Sequence, residues 1–537
     1  MTPEEWITHD PDPQTAAELI ACSPDELRER FARPLTFGTA GLRGPVGGGP
    51  DAMNVAVVLR ATWAVAQVLT GRGLAGSRVV VGRDARHGSA QFAAATADVL
   101  AAQGFSVLKL PGTAPTPVLA YAVRHTGAAA GIQITASHNP PADNGYKVYF
   151  DGGMQIISPT DRQIETAMAA APPADQIPRK PISGADDFAD TDLVDRYMQR
   201  AATVRRSAGS VRVALTPLHG VGGAVAVETL RRAGFDDVHT VATQFAPDPD
   251  FPTVAFPNPE EPGATDAVLA LASAVGADVA IALDPDADRC AVGIPTAAGW
   301  RMLSGDETGW LIGDYILSHE QGRDTPGART VASTVVSSRM LAAIAEHHGA
   351  IHVETLTGFK WLARADANVP GGTLVYAYEE AIGHCVAPDA VRDKDGISAA
   401  VLMCDLVSAL KRQGRSVPDM LDELARRYGV HDVAAVSRRV ADARQADELM
   451  RRLQADPPSR LAGLTVTTTD ITDALIFTGG DADMSARVVV RPSGTEPKLK
   501  FYLEVRCALA GAGDDLALAR ERARALREEL VSSVRDW

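Results

Sequence analysis

Apolar positions along the chain recur as short β-branched runs, each followed by a small-residue loop, a stretch with helical spacing, a glycine and a further apolar run. This is the grammar of βαβ units. The first unit runs from Arg78-Val79-Val80-Val81 through a helix near Ser89 to Gln103, stops at Gly104 and resumes at Ser106. Gly104 fits the residue after a helix end, where left-handed backbone is common. The second starts at Val211, places a helix near Gly223 to Ala233 and stops at Gly234. The third starts at Thr330, places a helix near Ser338 to His348 and stops at Gly349. Beyond Val430 the strands shorten, and a final helix over Asp514 to Val531 puts Leu516, Ala519, Ala523, Leu526 and Leu530 on one face.

Three similar α/β domains explain the recurrence. Breaks are expected in the Pro-rich stretch Ala171 to Asp190, around Gln321 to Gly327, and near Val430. The expected domains are residues 1–200, 201–322, 323–430 and 431–537. A chain of 537 residues has the length for several cores.

Composition narrows the function classes. Apolar residues are 46% and charged residues 22%, as in ordinary globular proteins. A net charge of -15 argues against a broad nucleic-acid surface, while a local basic cleft can still hold small anions. The five cysteines are scattered without a C-x-x-C pair, which argues against a disulfide framework or zinc site. No apolar run approaches membrane-spanning length, and the start of the chain lacks a signal-peptide pattern. A soluble, cytoplasmic protein with no membrane or nucleic-acid partner is the expectation; the oligomeric state is not legible.

Four stretches carry candidate chemistry. Asp284-Pro285-Asp286-Ala287-Asp288 follows a buried-strand pattern, and alternate residues of an extended segment face one way, so the three carboxylates can converge on a hard divalent metal. The alternative is an acidic turn; an EF-hand loop is disfavoured, because its sixth and twelfth positions hold Arg289 and Pro295. Ile134-Thr135-Ala136-Ser137-His138-Asn139-Pro140 pairs a serine with a histidine, yet neighbours on an extended chain point apart, and a polar loop is the plain alternative. Arg491, Ser493, Gly494 and Thr495 lie between two strand patterns and suit a phosphate, or form a simple hairpin turn. Tyr376 to His384 carries the paired carboxylates Glu379 and Glu380, suited to sugar hydroxyls or to a solvated helix start.

In this order the four stretches resemble the α-D-phosphohexomutase superfamily, over nearly the whole chain. The resemblance implies three related mixed-sheet α/β domains plus a smaller α+β C-terminal domain around a central cleft. It implies that Ser137 carries the phosphoryl group and that Asp284, Asp286 and Asp288, with the phosphoserine, bind one Mg2+. Thr357, Gly358, Lys360, Glu379 and Glu380 match the sugar loops, and Arg491, Ser493, Gly494 and Thr495 match the phosphate loop. Phe37 to Gly44 matches the first active-site loop, making Arg43 a cleft residue, and Lys147 and Lys394 match basic residues lining that cleft.

Ala381 replaces the serine of the usual Glu-x-Ser sugar loop, and Phe256 to Glu261, Leu218 to Gly222 and Asn144 to Tyr149 look closer to the phosphoglucomutase-2 and phosphopentomutase branch. The implied activity is a phosphosugar mutase (isomerase, intramolecular phosphotransferase) interconverting sugar 1- and 6-phosphates through a bisphosphate, which also activates the enzyme. A phosphopentomutase, a silent sugar-phosphate binder and a phosphatase are the alternatives. Arg43, Arg289 and Lys147 would stabilise the transferring group, and Lys147, Arg289, His138 and His384 are the candidates for proton transfer.

Overall fold

The computed structural model describes residues 1–38, 41–182, 192–319, 327–440, 443–472, 474–492, 498–509, 515–535 and 537. Among these residues, four sheets follow one another along the chain. The first holds β1 (Leu42–Pro45), β2 (Arg78–Arg83), β3 (Ser106–Lys109), β4 (Ala130–Ile134), β5 (Asp143–Phe150) and β6 (Met154–Gln155). The second holds β7 (Val213–Thr216), β8 (Val238–Thr240), β9 (Val279–Leu283), β10 (Cys290–Thr296) and β11 (Gly299–Met302). The third holds β12 (Ala328–Thr334), β13 (Ile351–Thr355), β14 (Gly372–Glu379) and β15 (Gly383–Cys385).

These three sheets share one topology. The orders β3-β2-β4-β5, β8-β7-β9-β10 and β13-β12-β14-β15 each comprise two parallel pairings and a final antiparallel return. β4, β7 and β9 are apolar apart from Gln133 and Thr216 because helices cover both faces: every residue of these three strands is buried. The loop before the antiparallel return therefore recurs three times, and it carries Ser137, then the three aspartates, then Glu380. The mixed sheets agree with the expected fold class.

The expected helices form as Ser89–Ala102, Gly223–Arg232 and Met340–His347, and Gly104, Gly234 and Gly349 all have positive φ. A core running from Val80 and Leu119 through Leu215 and Leu283 to Leu341 and Leu402 joins the first three sheets. At its centre lies the helix Gly396–Arg412, buried from Gly396 to Leu410 and capped by Asp395, whose carboxylate accepts from Ser398 N at 2.9 Å. A helix apolar on every side belongs inside a protein.

The fourth sheet is wholly antiparallel: β16 (Val430–Arg439), β17 (Arg460–Leu461), β18 (Leu464–Ile471), β19 (Ala474–Gly480), β20 (Met484–Pro492) and β21 (Lys498–Cys507). The last helix, Leu516–Arg535, packs its predicted apolar face onto this sheet and builds a separate core. The fourth sheet meets the third through polar contacts and a small apolar patch including Val335, Val336, Ile476 and Val489. Among the described residues, no helix is long and apolar enough to cross a membrane.

Candidate active site

β4 ends at Ile134 and β5 starts at Asp143, so the intervening loop must reverse the chain. Thr135 Oγ1 accepts from Ser137 N at 2.9 Å, and Ser137 adopts φ 53°. A non-glycine residue there costs about 1–2 kcal/mol. This turn aims Ser137 Oγ at the second sheet, where it donates to Asp284 Oδ2 at 2.6 Å. It also sets Oγ 3.2 Å from His138 Nδ1, which corrects the expectation that these neighbours point apart. That expectation assumed extended backbone, and alternation of side chains holds only there. Burial, Arg289 and Arg43 hold the His138 pKa well below its ordinary value, so the imidazole is neutral.

The aspartates converge by a different route from the one expected. Ala287 N donates to Asp284 O at 2.9 Å and Ala287 has φ 55°, so a tight turn after β9, and not an extended segment, gathers them. All three are buried, and ligand oxygens from each lie within 4.8 Å of one another. Lys147 on β5 donates from Nζ to Asp286 Oδ2 at 2.7 Å and to Asp288 Oδ2 at 2.9 Å. Lys394 Nζ stands 3.3 Å from Asp288 Oδ2, and Arg289 N donates to Asp284 Oδ1 at 3.0 Å.

Burial and the charges of Asp286 and Asp288 push the Asp284 carboxyl well above the usual range. Burial is the largest effect on Asp286 and Asp288 and acts in the same direction, but Lys147, joined at Asp286 by the Asp284 hydrogen bond and at Asp288 by Lys394 and Arg289, brings both below that range. Their Oδ1 atoms are buried with no hydrogen-bond partner among the described residues. Buried carboxylate oxygens without partners are costly, and a hard divalent cation satisfies them. The donor set therefore fits a metal, and a merely solvated acidic turn does not describe it.

The loop Leu218 to Gly222 buttresses this turn. Val221 N donates to Pro285 O at 2.8 Å. A Cβ on Gly220 would lie 2.4 Å from Pro285 O, and one on Gly222 2.5 Å from Ala287 Cβ, so both glycines are required by close approach.

Tyr376 to His384 forms the β14–β15 hairpin, not a helix start. Its two carboxylates diverge. Glu379 lies 3.9 Å from both Arg289 and Lys394, and burial lifts its pKa against these cations. Glu380 Oε2 accepts from Thr334 Oγ1 and Ser337 Oγ, each at 3.0 Å. His384 is not available for proton transfer. It is fully buried, bonded to Tyr376 Oη at 3.0 Å, and burial pushes its pKa down to about 3.

Thr357 and Gly358 precede the short helix Phe359–Leu362, and Gly358 has φ 104°. Lys360 Nζ reaches Gly38 O at 3.4 Å, joining the third unit to the loop before β1, and Lys394 Nζ lies 5.6 Å from the Phe359 ring centroid. Arg43, on β1 opposite Gly145, donates to Asn139 Oδ1 at 3.2 Å. Burial lowers its pKa while Asp286 and Asp288 oppose that shift. Arg289 stands 3.7 Å from Glu260, and with Glu379 that carboxylate raises the guanidinium pKa despite burial.

Arg491 pairs with Lys500 one residue before the end of β20, while Ser493, Gly494 and Thr495 lie outside the described residues. A cavity of about 570 Å3 between the second, third and fourth units is lined by Glu260, Asp306, Ser337, Glu380, Arg487 and Lys500 among others. Ser137 and the aspartates do not line it.

Sequence reasoning missed two further residues. Thr116, at the start of the helix Thr116–Thr126, donates from Oγ1 to Asp286 Oδ2 at 2.6 Å and from its amide to Asp286 O at 2.9 Å. Arg86 bonds the serine loop from the loop after β2. The available signal was their position: each follows a strand end in the first sheet, the edge to which Ser137 belongs.

Four family models match the chain in order, described as phosphoglucomutase/phosphomannomutase alpha/beta/alpha domains I, II and III and the C-terminal domain, over residues 34–174, 195–297, 304–428 and 436–511. The chain is 41% identical over 470 residues to a Haemophilus influenzae protein named "Probable phosphomannomutase", covering 84% of this chain and 93% of that one. It is 33% identical over 595 residues to the phosphopentomutase of Mus musculus, covering 99% and 93% respectively. A phosphoglucomutase/phosphomannomutase family protein from Burkholderia thailandensis shares the fold, with a TM-score of 0.70 at 20% identity, over 93% of this chain and 97% of that one. The chain belongs to the phosphoglucomutase/phosphomannomutase family of phosphosugar mutases, which are intramolecular phosphotransferases.

Proposed function

We propose that the chain interconverts sugar 1-phosphates and 6-phosphates with Ser137 as the phosphoryl carrier and one Mg2+ held by Asp284, Asp286 and Asp288. The observation that carries this reading is the 2.6 Å contact from Ser137 Oγ to Asp284, beside two carboxylate oxygens without hydrogen-bond partners. A bound Mg2+ would supply charge neutralisation at the phosphoryl oxygens. In this reading the units 1–200, 201–322, 323–430 and 431–537 each contribute one loop to a common cleft.

The phosphoryl group leaves Ser137 Oγ as a new P–O bond forms to the free sugar hydroxyl, whose proton must be removed as Oγ regains one. His138 Nδ1, 3.2 Å from Oγ, is the imidazole within reach of that proton, while burial, Arg289 and Arg43 disfavour its charged form, so it would pass a proton on and not store one. Arg43, Arg289 and Lys147 supply fixed positive charge around the transfer, the dominant requirement of phosphoryl chemistry. Glu379 and Glu380 present carboxylates for sugar hydroxyls with Thr357, Gly358, Lys360 and Lys394 beside them. Arg491, with Ser493, Gly494 and Thr495, grips the phosphate that does not react. The bisphosphate formed turns over in the cleft, returns the second phosphoryl group to Ser137, and as free ligand primes the enzyme. A cytoplasmic location accords with this chemistry.

Similarity over nearly the whole chain to a phosphopentomutase, and Ala381 in place of the usual serine, favour a second reading in which the substrate is ribose or deoxyribose 1-phosphate. Intact mass after incubation with glucose 1,6-bisphosphate tests the carrier: wild type is expected to gain one phosphoryl group and Ser137→Ala none. Turnover by Ser137→Ala would refute it. Rates on mannose, glucose and ribose 1-phosphates decide the substrate, and release of free phosphate in place of isomerisation would mark a phosphatase.

A further inference from the structure

Arg86 reaches the serine loop with both Nη atoms of its guanidinium. Nη1 donates to Pro140 O at 2.7 Å and Asp143 O at 3.1 Å, and Nη2 donates to Ser137 O and Asn139 O, both at 2.6 Å. Nε faces Asp84 Oδ2 at 3.5 Å. Asp84 in turn fixes the loop after β2, accepting from Arg86 N at 2.9 Å and Ser89 Oγ at 2.5 Å. From the second unit, the Phe251 ring covers the guanidinium with its centroid at 5.0 Å, and the Arg86 side chain is 1% exposed.

We propose that Arg86 is a positioning residue for phosphoryl transfer: by gripping four carbonyls of the 137–143 loop it holds Ser137 in its left-handed turn and Oγ on the aspartates. The inference rests on Ser137 being the phosphoryl carrier. All four Nη protons go to that one loop, so the guanidinium defines the loop's shape more than it ties distant elements together. The loop's internal backbone bonds, Asn139 N to Ala136 O at 3.1 Å and Asp143 N to Pro140 O at 3.0 Å, do not involve Ser137 O. Charge-assisted bonds to the carbonyls therefore offset the strain of the serine. A lysine has three donors on one atom and cannot reproduce a planar fork spanning four acceptors. Phe251 keeps water from competing for the same carbonyls, which makes the serine's aim depend on docking of the second unit.

The test compares wild type, Arg86→Ala, Arg86→Lys and Phe251→Leu for phosphoryl uptake from glucose 1,6-bisphosphate, kcat, KM and Tm. Misplacing a reacting atom by about 1 Å costs about 100-fold in rate. A fall of that order in uptake rate and kcat is expected for Arg86→Lys and Arg86→Ala, with KM unchanged. A smaller fall of the same kind is expected for Phe251→Leu. Added guanidinium at a non-denaturing concentration should restore part of the kcat of Arg86→Ala, a response that a merely structural role would not give. If Arg86→Ala does not fold, the other two variants carry the test. Wild-type uptake rates in folded Arg86→Lys, or losses tracking Tm with no guanidinium response, overturn the inference. Failure of wild type to take up the phosphoryl group overturns the carrier reading itself, and the inference with it.

Discussion

Asp306 gives the molecule a stability that falls as pH rises. It lies in the first turn of the helix Gly305–His319, is 6% exposed, and its Oδ1 accepts from Ser338 N and Tyr378 Oη, each at 2.8 Å. Burial, aided by Glu380 and Glu504, pushes its pKa up to about 7 from an ordinary 3.8. The helix dipole favours the anion by about 0.3–1 kcal/mol, too little to reverse this. Because the folded pKa is the higher one, its contribution is complete below 3.8 and is lost as pH climbs through about 7. The gap between the two values corresponds to an upper bound of about 4 kcal/mol. Asp306→Asn keeps the size and the accepting oxygen and cannot ionise. Thermal unfolding of both proteins from about pH 4 to about pH 8.5 checks this, with the Tm difference as the readout. The variant should gain on wild type steadily up to about pH 7 and then hold a constant lead, on the order of 10 °C at most. A difference independent of pH across that range would refute the reasoning.

Lys147→Met leaves Asp286 and Asp288 buried without their shared cation, an expected loss of about 3–5 kcal/mol. Added Mg2+ should raise the Tm of this variant more than that of wild type. Gly220→Ala drives a Cβ into Pro285 and displaces the aspartate turn; a 10–100-fold weaker Mg2+ affinity is expected, read by titration. At the junction of the third and fourth units, Glu504 accepts from Ser338 Oγ at 2.6 Å, Arg339 N at 2.9 Å, Arg339 Nε at 2.5 Å and His431 Nδ1 at 2.7 Å. Burial would raise its pKa, but His431 and Arg339 keep it well below the carboxylate range. Glu504→Gln is expected to cost about 2 kcal/mol and to speed hydrogen exchange in β16 and β21, measured by mass spectrometry.

The repeated βαβ grammar was legible because strands such as Val279 to Leu283 are unbroken apolar runs. The aspartates were legible by composition, since three carboxylates within five positions directly after such a run are hard to accommodate without a cation. Backbone conformation was not legible. Nothing in the letters of Ser137 or Ala287 announces positive φ, so the serine–histidine proximity was missed and the aspartates were gathered for the wrong reason. Partner choice was equally hidden: Glu379 and Glu380 look equivalent on paper, but adjacent residues at a strand end face opposite ways. His384 looked titratable because the letters do not announce the β14–β15 pairing that stacks it on Tyr376 and Tyr378 inside the protein. Arg86 was overlooked because its acceptors are backbone carbonyls, which every residue has.

The serine and its acidic partner are 147 positions apart in the chain. During synthesis the loop bearing Ser137 is therefore complete well before the carboxylates that face it exist. A fragment ending before Asp284 keeps the serine yet has none of the aspartates against which it is aimed. If Ser137 is the phosphoryl carrier, as proposed, its phosphorylation would require that the second unit has folded and docked against the serine loop.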